Sequence, residues 1–318
     1  MKKIKNITVV GTGVIGAGWI ARFLSHGYQV TAYDPAPGAE EKLNASLKDL
    51  WPTLIESDIA KKEHLQNLSF ETNLKEAVEN ADFIQENVPE REDIKRQVLA
   101  EIDGLTKVDA IISSSTSGYM PSLLQKDCKH PERVIVSHPF NPVYIIPLVE
   151  VVGGEQTDPE VVLRAQALFE AVDMKPLIVR NEIDGHIGDR LMEAIWREAL
   201  HIVNDGIATT EEVDASIIYG PGLRWALMGP FLTLHLAGGD QGMRHMLHQF
   251  GPALKLPWTK LEAPELTDEL AEKVITGCEA QTEGQDMAQL EKRRDEFLVK
   301  LTDLVEEYWP GANLGGRL

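Results

Sequence analysis

Short apolar, β-branched runs alternate with amphipathic stretches through the first half of the chain. Ile7–Val10, Gln29–Tyr33, Leu68–Asn73, Ala81–Val88, Ala110–Ile112, Val134–Val136, Leu148–Val152 and Lys175–Val179 read as strands. Runs of this kind are the mark of strands buried in a parallel sheet. Helix-compatible segments lie between them: one reaching Ser25 with Gly27 as its C′ residue, then Ala39–Ile59, Leu74–Asn80, Arg91–Ile102 and Val161–Val172. In Ala39–Ile59, Leu43, Leu47, Leu50 and Leu54 recur at helical spacing, and Pro52 predicts a kink or break. The alternation stops at Asn181–Gly185, and everything beyond reads as helix. The predicted helices there are Ile187–Asn204, one opened by the capping box Thr209-x-x-Glu212, then Gly229–Ala237, Gln241–Phe250, Glu265–Ala280 and Gln285–Trp309, with Gly220-Pro221-Gly222 as a turn. In the last helix Leu290, Phe297, Leu301, Leu304 and Tyr308 form an apolar stripe that suits either a core or a dimer face. The expected architecture is α/β: a doubly wound sheet domain over residues 1–182, followed by an all-helical domain over 183–318.

The first strand stops at Gly11-Thr12-Gly13-Val14-Ile15-Gly16, a G-x-G-x-x-G, and the second ends in Asp34. Gly11 permits the tight strand-to-helix turn, Gly13 lets the backbone approach a pyrophosphate, and Gly16 lets helix and strand pack closely. The helix start at Val14 and Ile15 offers N–H groups and a positive dipole end to the phosphates. Asp34 stands where a carboxylate accepts hydrogen bonds from the adenosine ribose and repels a 2′-phosphate, which predicts NAD rather than NADP. The motif alone is weak evidence, and a bare βαβ turn is the plainer alternative. With its strand, helix and acid all in order, it identifies a Rossmann-type NAD-binding domain.

Composition narrows the picture by exclusion. The 318 residues suffice for two domains with real cores, and 43% hydrophobic with 25% charged residues is ordinary for a globular protein. Lys2, Lys3 and Lys5 before an apolar segment resemble a signal peptide, but the glycines within it and the lack of a small-residue cleavage site speak against one. No apolar run is long enough to cross a membrane. Cys128 and Cys278 fit neither a disulfide framework nor a zinc motif, which suits a reducing cytoplasm. The formal net charge of −19 argues against nucleic acid and anionic membranes as partners. His245 and His248 stand one turn apart with no third ligand candidate nearby, so no metal is expected.

Candidate chemistry gathers at strand ends. Val134-Ile135-Val136 leads into Ser137-His138-Pro139-Phe140-Asn141-Pro142, and the next strand carries Glu150 among apolar neighbours. A carboxylate in such a strand is costly unless paired, and His138 is the obvious partner. A buried structural pair and a catalytic dyad both fit, and the cofactor motif favours the dyad. Ser113-Ser114-Ser115-Thr116-Ser117-Gly118, at another strand end, can cap a helix or donate hydrogen bonds to substrate. Glu90 and Lys95 follow a strand that ends on the crevice side. They are either cofactor contacts or a solvated ion pair.

Together the G-x-G-x-x-G start, the S-x-S-G cluster, S-H-P-F-N-P with Glu150, and D-G-H-I-G-D-R-L resemble the 3-hydroxyacyl-CoA dehydrogenase family over nearly the whole chain. The resemblance implies NAD-dependent oxidation of a 3-hydroxyl, with His138 as general base, Glu150 orienting it and Ser117 bonded to the reacting oxygen. Members usually read G-F-[IV]-x-N-R where this chain has Gly185-His186-Ile187-Gly188-Asp189-Arg190. An ionised Asp189 cannot donate a hydrogen bond to substrate as the amide does. Segment Ile218–Pro230, H-L-A-G-G-D-x-G-M-R-H and Q-F-G-P-A-L-K-L-P-W resemble the branch of the family that oxidises L-carnitine, with L-gulonate and short-chain 3-hydroxyacyl-CoA branches as alternatives. A trimethylammonium favours aromatic faces and nearby negative charge. Phe140, Phe250 and Asp189 are therefore the expected substrate contacts, with Tyr144, Trp196 and Trp225 as further aromatic candidates. Arg224 or Arg190 is expected to meet the substrate carboxylate, and a homodimer is the expected assembly. A dinucleotide-binding protein without turnover is the reading from another class; the presence of both His138 and Glu150 speaks against it.

Overall fold

A computed structural model describes residues 4–56 and 60–259, with positions 267, 268, 272, 275, 284–286, 289 and 304 beyond them. Apart from those isolated positions, the predicted helices Glu265–Ala280 and Gln285–Trp309, the stripe on the latter and Cys278 lie outside the described residues. The chain divides into two compact units, Met1–Met192 and Glu193–Leu318.

The first unit holds one eight-stranded sheet: β1 (Asn6–Val10), β2 (Gln29–Tyr33), β3 (Leu68–Glu71), β4 (Phe83–Glu86), β5 (Ile111–Ser114), β6 (Val134–Pro139), β7 (Leu148–Gly153) and β8 (Lys175–Val179). Its order is β3-β2-β1-β4-β5-β6-β7-β8, with every pair parallel except β6 and β7. The helices are α1 (Val14–Ser25), α2 (Ala39–Glu56), α3 (Leu74–Val78), α4 (Glu92–Leu105), α5 (Pro121–Leu124), α6 (Pro159–Glu170) and α7 (Gly188–Asn204), which runs across the division. α8 (Thr210–Ile218), α9 (Pro221–Ala237) and α10 (Gly242–Phe250) follow in the second unit.

Successive strand residues feed two separate cores. Ile7, Val9, Phe83, Ile111, Ile135 and Val151 pack with Trp19, Phe23 and Phe169 on one face. Val10, Ile84, Ile112, Val136 and Val152 pack with Leu99 and Ile102 on the other. Burial on both faces is why these strands read as continuous apolar runs. The chain moves outward from β1 to β3, then returns to β4 on β1's other side. That reversal opens a crevice at the carboxyl ends of β1 and β4.

Two local expectations change. Gly220-Pro221-Gly222 does not form a separate turn; Pro221 opens α9, where its missing N–H costs nothing. The helix predicted from Gly229 is the second half of α9, kinked at Gly229 (φ 60°, ψ −179°), because Pro230 drives the residue before it out of the α region. α2 runs through Pro52 to Glu56. The Thr209–Glu212 capping box forms, with Thr209 Oγ1 accepting from the Glu212 N–H at 3.2 Å.

Candidate active site

The glycine-rich turn is built by backbone proximity. Gly11 has φ +87°, and a Cβ there would come within 2.8 Å of the Asn87 carbonyl oxygen. A Cβ on Gly16 would lie 1.9 Å from the Gly11 carbonyl oxygen, so helix and strand touch there. Around Gly13 nothing lies within 4 Å. Gly13 also caps α1 without a side-chain acceptor, which leaves the helix's first N–H groups to an outside anion. Val14 is 75% exposed and Ile15 is half-buried at that end. Asp34 is fixed by accepting from the Thr12 N–H and Thr12 Oγ1, both at 3.0 Å. Its other oxygen accepts from the Ala36 N–H at 3.0 Å. A cleft of about 540 Å³ is lined by Gly11, Thr12, Gly13, Asp34, Asn87 and Pro89 among others. Open space at Gly13, uncapped N–H groups and a held carboxylate fit a dinucleotide whose ribose carries no 2′-phosphate.

The second half of the site arises from the one antiparallel pair. The connection after β6 turns straight back into β7, so His138 and Glu150 stand directly opposite each other in register. Side chains opposite one another in such a pair share a face. His138 Nδ1 and Glu150 Oε2 are 3.0 Å apart, and both side chains are buried. The other Glu150 oxygen accepts from the N–H groups of Ile187 (2.8 Å) and Gly188 (3.0 Å), where α7 begins. Burial pushes the Glu150 carboxyl up, but the His138 bond and those two N–H groups outweigh it, and Glu150 sits below the usual carboxylate range.

Asp189 Oδ2 lies 3.7 Å from His138 Nε2, so the imidazole has a carboxylate on each side. The Phe140 ring meets the His138 ring edge-on, with centroids 5.0 Å apart. Gly188 is required where it is: a Cβ there would sit 2.3 Å from Phe140 Cζ. His186 is fully buried at φ +49°, with its ring 5.5 Å from that of His138. Its Nε2 faces the Thr116 carbonyl oxygen at 3.2 Å. Burial, and then the neighbouring His138, hold its pKa below the ordinary imidazole value.

Lys95 is not part of a solvated pair. It is buried, and its ammonium donates to Glu86 Oε1 (3.0 Å) and the Val88 carbonyl (3.2 Å) and lies 3.2 Å from Glu90 Oε2. Burial pushes the Glu86 carboxyl up, against the pull of Lys95 and the Ser114 hydroxyl. Glu90 reaches from this cluster to the serine-rich loop, accepting from Thr116 Oγ1 and from the Ser117 N–H at 3.1 Å. Ser117 itself is exposed. Sequence reasoning passed over Glu86 and His186. The available signal was a second acid ending an apolar strand, and an imidazole in place of an expected phenyl ring.

Ser117, Glu90, Lys95, His138, Phe140, Glu150 and Asp189 all belong to the first unit, with the glycine turn. Arg190 does too, and is exposed. Arg224 is exposed on α9 and Phe250 is 48% exposed at the end of α10, both in the second unit. Tyr144 packs against the larger core, Trp196 is 58% exposed on α7, and Trp225 is half-buried on α9. Cys128 is idle: burial pushes its thiol up to about 12.

Residues 6–183 match the NAD binding domain of 3-hydroxyacyl-CoA dehydrogenase, and residues 185–282 match its C-terminal domain. A relative from Bacillus cereus named L-carnitine dehydrogenase is 65% identical, over 99% of this chain and 97% of its own length. Another of that name, from Pseudomonas putida, is 52% identical over 96% of this chain and 95% of its own. Among solved structures, 5-formyl-3-hydroxy-2-methylpyridine 4-carboxylic acid 5-dehydrogenase, an NAD+-dependent dismutase, superposes with a TM-score of 0.74 at 30% identity, covering 95% of this chain and 99% of that one. An (S)-3-hydroxybutyryl-CoA dehydrogenase from Ralstonia eutropha gives 0.64 at 25% identity, covering 78% and 89%.

Proposed function

The chain belongs to the 3-hydroxyacyl-CoA dehydrogenase family and is an NAD-dependent oxidoreductase acting on a hydroxyl group; from that premise we propose that it oxidises L-carnitine at its 3-hydroxyl to 3-dehydrocarnitine. The observation that carries this reading is the near-full-length identity to relatives named L-carnitine dehydrogenase. Three features of the site agree with it.

First, the dyad suits a general base. Glu150 is ionised and takes the Nδ1 proton of His138 in a hydrogen bond, which leaves Nε2 bare to accept the hydroxyl proton. Glu150 then stabilises the imidazolium that forms. NAD, when bound, would supply the hydride acceptor; Gly11, Gly13, Val14, Ile15, Gly16 and Asp34 would hold it, with Glu90 and Lys95 behind the loop that carries Ser117. The Ser117 hydroxyl donates to the reacting oxygen and keeps it aimed at Nε2.

Second, the substrate's cation sits close to the reaction. In carnitine the ammonium nitrogen is two bonds from the carbon being oxidised, so the proton-accepting imidazole works beside a fixed positive charge. Asp189, 3.7 Å from Nε2, offers negative charge to both the imidazolium and the cation. A trimethylammonium has no N–H to donate, which makes charge and aromatic faces the available means of recognition.

Third, Phe140 stands beside the base and offers such a face. Within the same unit, Arg190 is the cation available to the substrate carboxylate. On α7, exposed Leu191, Met192, Ile195, Trp196 and Leu200 make a one-sided apolar stripe that suits a homodimer interface. Sedimentation at micromolar concentration should show a dimer, and a monomer would remove that part of the reading.

The test is NADH formation by the purified protein with L-carnitine, L-gulonate, 3-hydroxybutyrate and its CoA ester. L-carnitine should give the highest kcat/KM by far. If 3-hydroxybutyrate or its CoA ester is better, the carnitine assignment falls and a general hydroxyacyl substrate takes its place.

A further inference from the structure

The peptide unit joining Thr116 to Ser117 is gripped at both ends. Its N–H, on Ser117, donates to Glu90 Oε1 at 3.1 Å. Its carbonyl, on Thr116, accepts from His186 Nε2 at 3.2 Å. One residue along, the Gly118 carbonyl accepts from the Gly185 N–H at 3.2 Å. Two residues further along the same short segment, the N–H groups of Ile187 and Gly188 hold Glu150. Residues 185–188 therefore form a strut, with the Ser117 loop bound to one end and the His138–Glu150 pair to the other.

His186 is the side-chain element of that strut, and its features agree with the task. A carbonyl oxygen only accepts, so Nε2 carries the proton and Nδ1 is bare. Nδ1 is buried and has no hydrogen-bond partner among the described residues. Burial and the adjacent His138 keep the ring neutral, so it brings no charge toward the base. Its φ of +49° lies in the left-handed region, where a side chain other than glycine's is strained and needs surrounding contacts to keep it there. A phenyl ring at this position fills similar space but cannot grip the Thr116 carbonyl.

We propose that His186 is a positioning residue for the oxidation: by holding the Thr116 carbonyl it keeps the Ser117 hydroxyl in register with His138. This rests on Ser117 meeting the reacting oxygen, as set out above.

A double-mutant cycle in kcat tests it. His186→Phe removes the donor and keeps the ring, while His186→Gln keeps an N–H donor on a flexible chain. Both place a side chain at the same backbone conformation, so strain is common to the two. The loss of one net hydrogen bond predicts that H186F lowers kcat roughly three- to tenfold. H186Q should recover to within about twofold of the unmodified protein. In a Ser117→Ala background, H186F should cost nothing further. A general loss of folded protein would lower the rate by the same factor in both backgrounds. The proposal is overturned if H186F costs the same with and without Ser117, if H186Q is as slow as H186F, or if H186F equals the unmodified protein. The cycle is run with whichever 3-hydroxy substrate the unmodified protein oxidises, so failure of the carnitine reading shows in the unmodified protein alone.

Discussion

The glycine-rich turn and the His138–Glu150 site lie in the same unit, yet they are made in different ways. The turn is contiguous in sequence, runs from β1 into α1, and works through backbone: an open Gly13, a crossing at Gly16, and helix N–H groups. The dyad site draws on β6, β7, the loop after β5 and the start of α7, and works through buried charge: Glu150 on one side of the imidazole, Asp189 on the other. A contiguous backbone site is damaged by adding atoms. A site assembled from distant side chains is damaged by removing them.

The largest break in the comparison comes from removing the proposed base. His138→Ala should lower kcat by roughly a hundredfold or more, the usual scale for general base catalysis, while NADH binding measured by fluorescence stays near normal. Glu150→Gln should act in the same direction, also with binding intact. Retention of near-normal turnover by His138→Ala would mean the base lies elsewhere.

Adding a methyl to the turn should separate its two functions. Gly16→Ala drives a Cβ against the Gly11 carbonyl, and overpacking of this kind costs about 1–3 kcal/mol in thermal or denaturant unfolding. Gly13→Ala meets nothing in the protein, so unfolding should be unchanged while NAD affinity falls. Equal stability losses in the two would contradict the close approach assigned to Gly16 alone.

Smaller effects sharpen the boundary between the regions. Asp34→Ala should leave kcat with NAD nearly unaltered and erode the preference over NADP, because it removes the charge that repels a 2′-phosphate. Comparable turnover of the two cofactors by the unmodified protein would refute that. Phe140→Ala should raise KM for L-carnitine by the loss of a cation–π contact of ~0.5–2 kcal/mol. The same change should hardly alter KM for NAD. Replacing carnitine by 3-hydroxybutyrate should cost more than losing Phe140, since the charge facing Asp189 goes as well.

The smallest effect is on stability against pH. His186 is held below its ordinary value of 6.5 by burial and by His138, so the unfolded chain takes up that proton first. Its share of stability is full above about 6.5 and declines as pH falls below it. Glu150 is held below its ordinary 4.5, so its contribution is present above that value and is lost only at lower pH. As pH falls below about 6.5, His186→Phe should flatten the pH dependence of the unfolding midpoint. An unaltered slope there would show that His186 does not stay neutral in the folded protein.

The same contrast governs how much of the site could be read in advance. Gly11, Gly13, Gly16 and Asp34 were legible because their task is local and their spacing is set by one strand, one turn and one helix. His138 and Glu150 were legible as a candidate pair because a carboxylate in an apolar strand demands a partner. For Lys95 the sequence left a solvated pair open, because a charge on an amphipathic helix ordinarily faces water. It turns inward because Glu86 waits at the end of β4. His186 looked like one more letter in a motif, since nothing near it in sequence shows that Thr116, 70 residues away, is its partner.

The amino-acid order alone determined the α/β alternation, the dinucleotide turn and the residues capable of acid–base chemistry, because strand and helix periodicity and turn sterics act over a few neighbouring residues. Tertiary structure decided what those residues face. The antiparallel return of β7 set His138 opposite Glu150, the start of α7 brought Asp189 to Nε2, and the strut at 185–188 tied the Ser117 loop to both. Register between distant strands and the burial of individual charges are properties of the packed sheet, where every strand's position depends on its neighbours, and no stretch of sequence carries them by itself.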